Sequence, residues 1–417
     1  MFSAVQLLFA LLLPLANAAI GPVGDLPITN VEIAPDGVSR PAVVAGGSFP
    51  GLLIQGNKGD RFQLNVQDQL TDSRMLKSTS IHWHGLLQRG SAWADGPVGV
   101  TQCPIALGNS FLYDFAATDQ AGTFWYHSHY STQYCDGLRG PFVVYDPEDP
   151  HLSSYGVDDE STVITLADWY HTPALAGPSL PQPDTTLING IGRWGSDPTA
   201  DLAVINVAAG NRYRLRYSFI LEANQTVGNY WIRALPNIQS IRGQRFENGV
   251  NSAILRYDTA PDAEPTTSEL SNPTVLNEAD VRPLVITPAV GVHELGAADI
   301  KSTLNMTIPA LAAGGPHPMH SHGHTFQVIR SAGSNQLNWD NPISRDVVSS
   351  GTSGSVVIRF TTDNPGPWIL HCHIDWHFEL GLAVVFAESI DDIATSHPPP
   401  AWDSLCDPFD ALAPSEH

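Results

Sequence analysis

Eight of the chain's sixteen histidines stand as His-x-His pairs: His82/His84, His127/His129, His320/His322 and His371/His373. Alternate residues of a β-strand point to one face, so each pair can aim two imidazoles at one place. Neutral imidazole is a metal ligand, and eight of them exceed the needs of one ion; they suit three, bound by two, three and three histidines. The fourth pair encloses Cys372. By the same alternation Cys372 faces away from His371 and His373. Another ion can then sit behind the strand, joined to the cluster through one or two residues of backbone, and electrons can pass from one site to the other.

Cys372 needs partners. His377 lies shortly downstream and His317 precedes the third pair. A thiolate with two imidazoles and a weak axial position makes a blue-copper electron-transfer site. The axial candidate by spacing is Leu382, whose apolar side chain cannot ligate, which favours Cu(I) and raises the reduction potential. Structural zinc takes four ligands in a closed site and has no use for eleven arranged on paired strands. His324, beside the third pair, is expected to support the ligands rather than join them. His151, His171, His293, His397 and His417 have no motif context and are read as solvent or capping residues.

The elements that position these residues recur along the chain. Thr118-Asp119-x-x-Gly122-x-x-x-x-His127-x-His129 returns as Thr362-Asp363-x-x-Gly366-x-x-x-x-His371-x-His373, and His-x-His-Gly precedes each copy, at His82 and at His320. Two related domains at opposite ends of the chain follow from this repeat. Where the last copy has His317, Cys372 and His377, the first has Thr79, Ser128 and Gln133, so only the last can build the thiolate site. Gly59 to Val66 alternates polar and apolar residues as a half-buried strand does. Gly210 to Leu215 resembles it and Gly354 to Phe360 is a looser third copy, which implies a middle domain without histidine pairs. The predicted organisation is a leader over 1–18 and domains over 19–148, 149–284 and 285–417. With 35 glycines, 33 prolines and 15% charged residues, the composition suits turn-rich β structure. A net charge of -22 repels nucleic acid and anionic membrane, so neither is an expected partner, and a monomer is expected. Residues Leu7 to Leu15 and Ala16-Asn17-Ala18 read as an export signal, and sequons at Asn224 and Asn305 suit a secreted, extracellular glycoprotein.

These residues carry a resemblance. Ile81-His-Trp-His-Gly85, Gly122-Thr-Phe-Trp-Tyr-His-Ser-His129, His317-Pro-Met-His-Ser-His-Gly-His324 and His371-Cys-His-Ile-Asp-Trp-His377 resemble the four copper motifs of multicopper oxidases. Trp93-Ala-Asp-Gly96, Leu138 to Tyr145 and Asp363 to Trp368 are similar to fungal laccases in particular. The resemblance implies an all-β chain of three cupredoxin-like Greek-key sandwiches and four copper ions. It places a type 1 copper on His317, Cys372 and His377, and a type 2 copper on His82 and His320. One type 3 copper falls to His84, His127 and His373, the other to His129, His322 and His371. Phenols, lignin-related phenols and hydroquinones among them, would give up single electrons through His377, and dioxygen would be reduced to water. Asp95 and Asp375 match family acids and are candidates for proton delivery or for structural acceptors. Two alternatives stand beside the laccase reading: a copper-binding but catalytically impaired form, or an oxidase of metal ions or ascorbate.

Two segments of the family pattern are missing, so the second and third sandwiches are expected to be incomplete. Arg212 to Arg216 passes straight into Tyr217 to Asn224, where laccases have several strands carrying a substrate-pocket carboxylate and a cysteine. The resemblance pairs Cys103 with Cys406 and leaves Cys135 without a partner. The second gap lies before His317, where early strands of the last sandwich are absent or replaced by Lys301 to Pro316. Missing strands expose unpaired edges and core surface.

Overall fold

The strand Arg61–Asp68 buries Phe62, Leu64, Val66 and Asp68 and turns the residues between them outward, the period of two that its sequence carries. Such strands build the structure, a computed structural model that describes residues 19–195, 200–216, 219–236, 246–268, 271–305 and 315–413. The expected leader, 1–18, and His417 lie outside them. In the first part of the chain Arg61–Asp68 pairs in parallel with Val23–Ile33 and antiparallel with Ser110–Ala116, and Arg40–Ala45 completes a four-stranded sheet. A second sheet orders Ile54–Asn57, Arg139–Tyr145, Gly122–Ser128 and Ile81–His84. One hydrophobic core, with Phe62, Trp83, Tyr113, Tyr126 and Phe142 at its centre, joins residues of both sheets.

The last part repeats this plan on a smaller scale. Val347–Ser349, Pro318–Ser321, Gly366–Cys372 and Ala383–Glu388 form a four-stranded sheet. Phe326–Arg330, flanked by Ser344–Arg345 and Val357–Arg359, forms a three-stranded one. The middle of the chain has two- and three-stranded sheets around a core of its own that includes Ile188, Ile205, Tyr213 and Tyr257. The chain is thus mostly β, and its helices are single turns such as Asp375–Glu379.

The first gap is closed by a hairpin: Arg212–Leu215 pairs antiparallel with Phe219–Glu222, Leu215 opposite Phe219. Phe219 and Ile220 are left exposed. Between Tyr257 and Pro318 the described residues form no strand, and Leu284 and Ile300 are 82% and 80% exposed. Part of this segment is nonetheless pinned to the last sheets: Gln327 bonds to Pro288 and Val290, and the Arg359 guanidinium donates to the carbonyls of Val290 and Val292.

Several contacts between described residues hold the ends of the chain together. The Asn364 amide donates to the carbonyls of Leu87 at 2.6 Å and Gly323 at 2.8 Å. Arg89 donates to the Asp363 carbonyl at 2.9 Å. Cys103 and Cys406 form a disulfide, beside which the Trp402 indole donates to the Thr101 carbonyl.

Candidate metal centre

In each end of the chain two histidine pairs meet on neighbouring antiparallel strands. His82 stands opposite His127, and His320 opposite His371. The two strand pairs face each other, and the eight imidazoles interleave across the junction. His82 Nε2 lies 3.4 Å from His320 Nε2. His373 Nε2 lies 3.2 Å from His84 Nδ1 and 3.3 Å from His127 Nε2. His322 Nε2 lies 3.1 Å from His371 Nε2, and the His129 ring stands 5.1 Å from both of theirs. Each of His84/His127/His373 and His129/His322/His371 brings its ligand atoms within 4.8 Å of one another, as does His82/His84/His320. Every set mixes the two ends of the chain.

The ring nitrogens that face outward are spent on oxygen. His82 Nδ1 meets the Asp95 carbonyl at 2.7 Å, and His322 Nδ1 meets the Asp95 carboxylate at 2.8 Å. Asp346 does the same from the other end: its carbonyl holds His320 Nδ1 at 3.1 Å and its carboxylate stands 3.4 Å from His84 Nε2. His127 and His371 lean on the carbonyls of Ser128 and Cys372. Such partners fix the tautomer and aim the other nitrogen inward. Gly96 permits this packing, because at φ +105° a Cβ there would stand 2.1 Å from the Ile81 carbonyl.

Asp346 was not singled out by the sequence, since it lies in no histidine motif. The internal repeat does not locate it, because Asp95 follows His82 by 13 residues whereas Asp346 follows His320 by 26. The Asp95 side chain is 1% exposed and that of Asp346 26%, so the second faces solvent. Asp375, expected near the cluster, accepts at 3.6 Å from the thiol of Cys135, which packs with Tyr170 and Trp376. Burial pushes its carboxyl up to about 8. Cys135 is a buried free thiol.

Behind the strand, Cys372 Sγ lies 3.6 Å from His317 Nδ1 and 3.5 Å from His377 Nδ1, and the two nitrogens are 3.0 Å apart. This is a triangle of one sulfur and two imidazoles. The Leu382 carbonyl accepts from the Cys372 amide at 3.0 Å, which brings Leu382 beside the triangle. At the matching positions of the first end, Thr79 and Ser128 each donate to the Gln133 side-chain oxygen at 2.7 Å, and Gln133 donates to the Ser78 carbonyl. A closed hydrogen-bond network fills the place that donors occupy in the other copy.

Burial first, and then repulsion by neighbouring rings, drives His84, His127, His322 and His371 well below the ordinary imidazole range. Burial takes His320 down to about 3 and His373 to about 4. The rings are therefore neutral, with lone pairs converging at little more than 3 Å, an arrangement that needs a cation between them. His129 Nε2 is buried without a hydrogen-bond partner, an acceptor that a metal ion would satisfy. Burial lifts the Cys372 thiol to about 12, so a metal must displace its proton. Imidazole with one thiolate suits copper, and the residues present fit that ion.

The remaining histidines divide. His324 pairs with Glu388 at 3.1 Å, outside the ligand groups. His171 is more than a solvent or capping residue: its Nε2 meets the buried Asp36 carboxylate at 2.8 Å and ties the first part of the chain to the middle. Burial opposes charge on that ring, but the Asp36 hydrogen bond and the Asp36 and Asp184 charges together outweigh it and raise the imidazole. His293 stacks on Trp339.

Multicopper oxidase family models match residues 27–149, 249–392 and, in two pieces that meet at Leu215 and Arg216, 160–216 and 215–260. The chain is 49% identical to a laccase of Phlebia radiata over 96% of both chains, and 48% identical to laccase-1 of Pleurotus ostreatus over 100% of this chain and 99% of that one. The first alignment spans 504 positions against 417 residues here, so it bridges stretches that this chain lacks, and the split at Leu215 falls on the first of them. The crystal structure of the laccase from Botrytis aclada superposes with a TM-score of 0.75 at 26% identity, covering 94% and 93% of the two chains. The multicopper oxidase Fet3p shares the fold, with a TM-score of 0.74 at 21% identity, over 94% of this chain and 95% of that one. Donors divided between a thiolate triangle and an imidazole cluster, and matches of that length, place the chain in the multicopper oxidase family.

Proposed function

We propose that the chain is a laccase-type oxidase that takes single electrons from phenolic small molecules and delivers them to dioxygen, forming water. The observation that carries this reading is the position of Cys372. Its sulfur faces His317 and His377, while His371 and His373 on either side face the cluster. Bound copper would supply one-electron transfer at the first site and four-electron reduction of dioxygen at the second.

His317, Cys372 and His377 would hold the type 1 ion. His82 and His320 would hold the type 2 ion, and His84/His127/His373 and His129/His322/His371 the type 3 pair. His317 and His377 are only half-buried, whereas seven of the eight cluster histidines are buried, so a phenol ring can approach the imidazole edges while most of the oxygen site stays covered. Two bonded neighbours, His371 and His373, connect the sulfur to both type 3 positions through backbone. Asp95 orients His82 and His322, Asp346 orients His84 and His320, and Asp346 reaches solvent, so protons consumed in making water have an entry beside the cluster. Asp375 is a candidate for proton delivery from the side of Cys135. Secretion as a glycosylated monomer fits the leader-like first 18 residues and the exposed Asn224 and Asn305, and no helix among the described residues is long and apolar enough to cross a membrane.

The test is expression with copper, followed by metal analysis, visible absorption and oxygen uptake with a hydroquinone, ferrous ion and ascorbate. A blue chromophore with phenol-dependent oxygen uptake is expected. Full copper loading without oxygen uptake on any of the three would refute oxidase activity, and uptake on ferrous ion or ascorbate alone would refute the phenol assignment.

A further inference from the structure

We infer that Trp125 and Phe378 are positioning residues, each holding the imidazoles of one ligand set at opposite ends of the histidine cluster; the inference rests on the copper reading above. The Trp125 indole packs on every ring of one set, with centroids 4.4 Å from His127, 4.9 Å from His84 and 5.3 Å from His373. It stands opposite His84 in the strand pair and shares a face with His127, two residues on. Phe378 packs on the other set, 4.9 Å from His371 and 5.5 Å from His129. It lies on the short helix Asp375–Glu379, directly after His377. These separations are those of aromatic rings in contact.

The hydrogen bonds explain why such contacts matter. Six cluster histidines have a ring nitrogen held by the carbonyl or carboxylate oxygen of another residue. Among the described residues His129 and His373 have none, and the only oxygen bonded to either ring is that of its own backbone. The torsion that turns an imidazole plane is soft, so a ring tied to no oxygen but its own depends on packing to keep its aim relative to the other ligands. His373 has Trp125 on it and His129 has Phe378. The aromatic rings stand where no second residue supplies an orienting oxygen, once in each set.

The test uses the full-length copper-loaded protein. Trp125→Leu is expected to lose about one copper ion per chain and to gain an EPR signal from the ion left without its coupled partner. The blue absorption should be unchanged, because Trp125 touches neither His317 nor His377 among the ring contacts. Phe378→Leu should lose an ion from the other set and, being bonded to His377, also shift the blue band. Trp125→Phe, which keeps a ring, should retain full copper and the parental EPR spectrum. Full copper and an unchanged EPR spectrum in Trp125→Leu would overturn the inference. If that variant does not fold, as judged by near-ultraviolet circular dichroism, the comparison rests on Trp125→Phe, and copper loss there in a folded protein overturns it equally. Wild-type protein that takes up no copper would overturn the underlying reading, and this inference with it.

Discussion

Asn364 offers a direct test of the idea that the cluster is assembled by docking the two ends of the chain. Its side chain is buried, and its one amide group donates to Leu87 in the first end and to Gly323 in the last. In Asn364→Ala both carbonyls lose their donor. A buried acceptor left unsatisfied costs about 1–3 kcal/mol. Gly323 is fully enclosed while Leu87 is half-buried and can recruit water, so the combined effect is roughly 2–4 kcal/mol. Applied to the separation of the two ends, that is a factor of about 30 to 700 in the docking equilibrium, at 1.4 kcal/mol per tenfold change. Every ligand set of the cluster mixes the two ends, whereas His317, Cys372 and His377 all belong to the last. The variant should therefore keep its blue chromophore and lose cluster copper and oxygen uptake. Copper analysis, visible absorption and urea unfolding on one preparation measure all three. Unchanged cluster copper together with unfolding within 0.5 kcal/mol of the parent, the usual range for a neutral surface change, would refute the docking argument.

Cys372→Ser should abolish the blue absorption and phenol oxidation while leaving cluster copper in place, because the cluster takes no donor from that side chain; loss of all copper would contradict two separable sites. Removing the disulfide by Cys103→Ala and Cys406→Ala opens a loop with a sequence separation of 303 and should lower unfolding free energy by at most about 5–6 kcal/mol on the chain-entropy estimate, read by denaturant titration. Asp68 is buried on the inner face of its strand with one carboxylate oxygen unpaired, and burial lifts it to about 7. A raised folded-state value means that its stabilisation is complete below the unfolded value near 4, falls as pH rises, and is gone above about 7. Asp68→Asn should gain on the parent by roughly 2–3 kcal/mol between pH 5 and pH 8; parallel stability curves at the two pH values would refute this.

The eleven donors and the division of labour between them were legible in the residues, because both depend on local geometry. A strand has a period of two wherever it sits, so Cys372 had to face away from His371 and His373. The internal repeat also located Thr79, Ser128 and Gln133, but not their hydrogen-bonded network, which depends on side chains brought together from three segments. Spacing showed eight imidazoles without showing which share an ion; the family resemblance supplied the sets, and docking of the two ends brings those atoms together. Asp346 escaped notice because its contacts are made with His320, twenty-six positions away, and with His84 in the other end. His171 had no motif, and its partner Asp36 is 135 positions distant. The missing stretch after Arg216 was visible in the sequence, whereas the hairpin that closes it was not. The sequence by itself thus determined the candidate donors, their pairing along strands and the opposed facing of Cys372, since alternation needs no neighbour. Only the tertiary structure decided which rings meet, which carboxylates and aromatic rings hold them, and how the shortened sheets close, since these rest on packing between segments far apart in the chain.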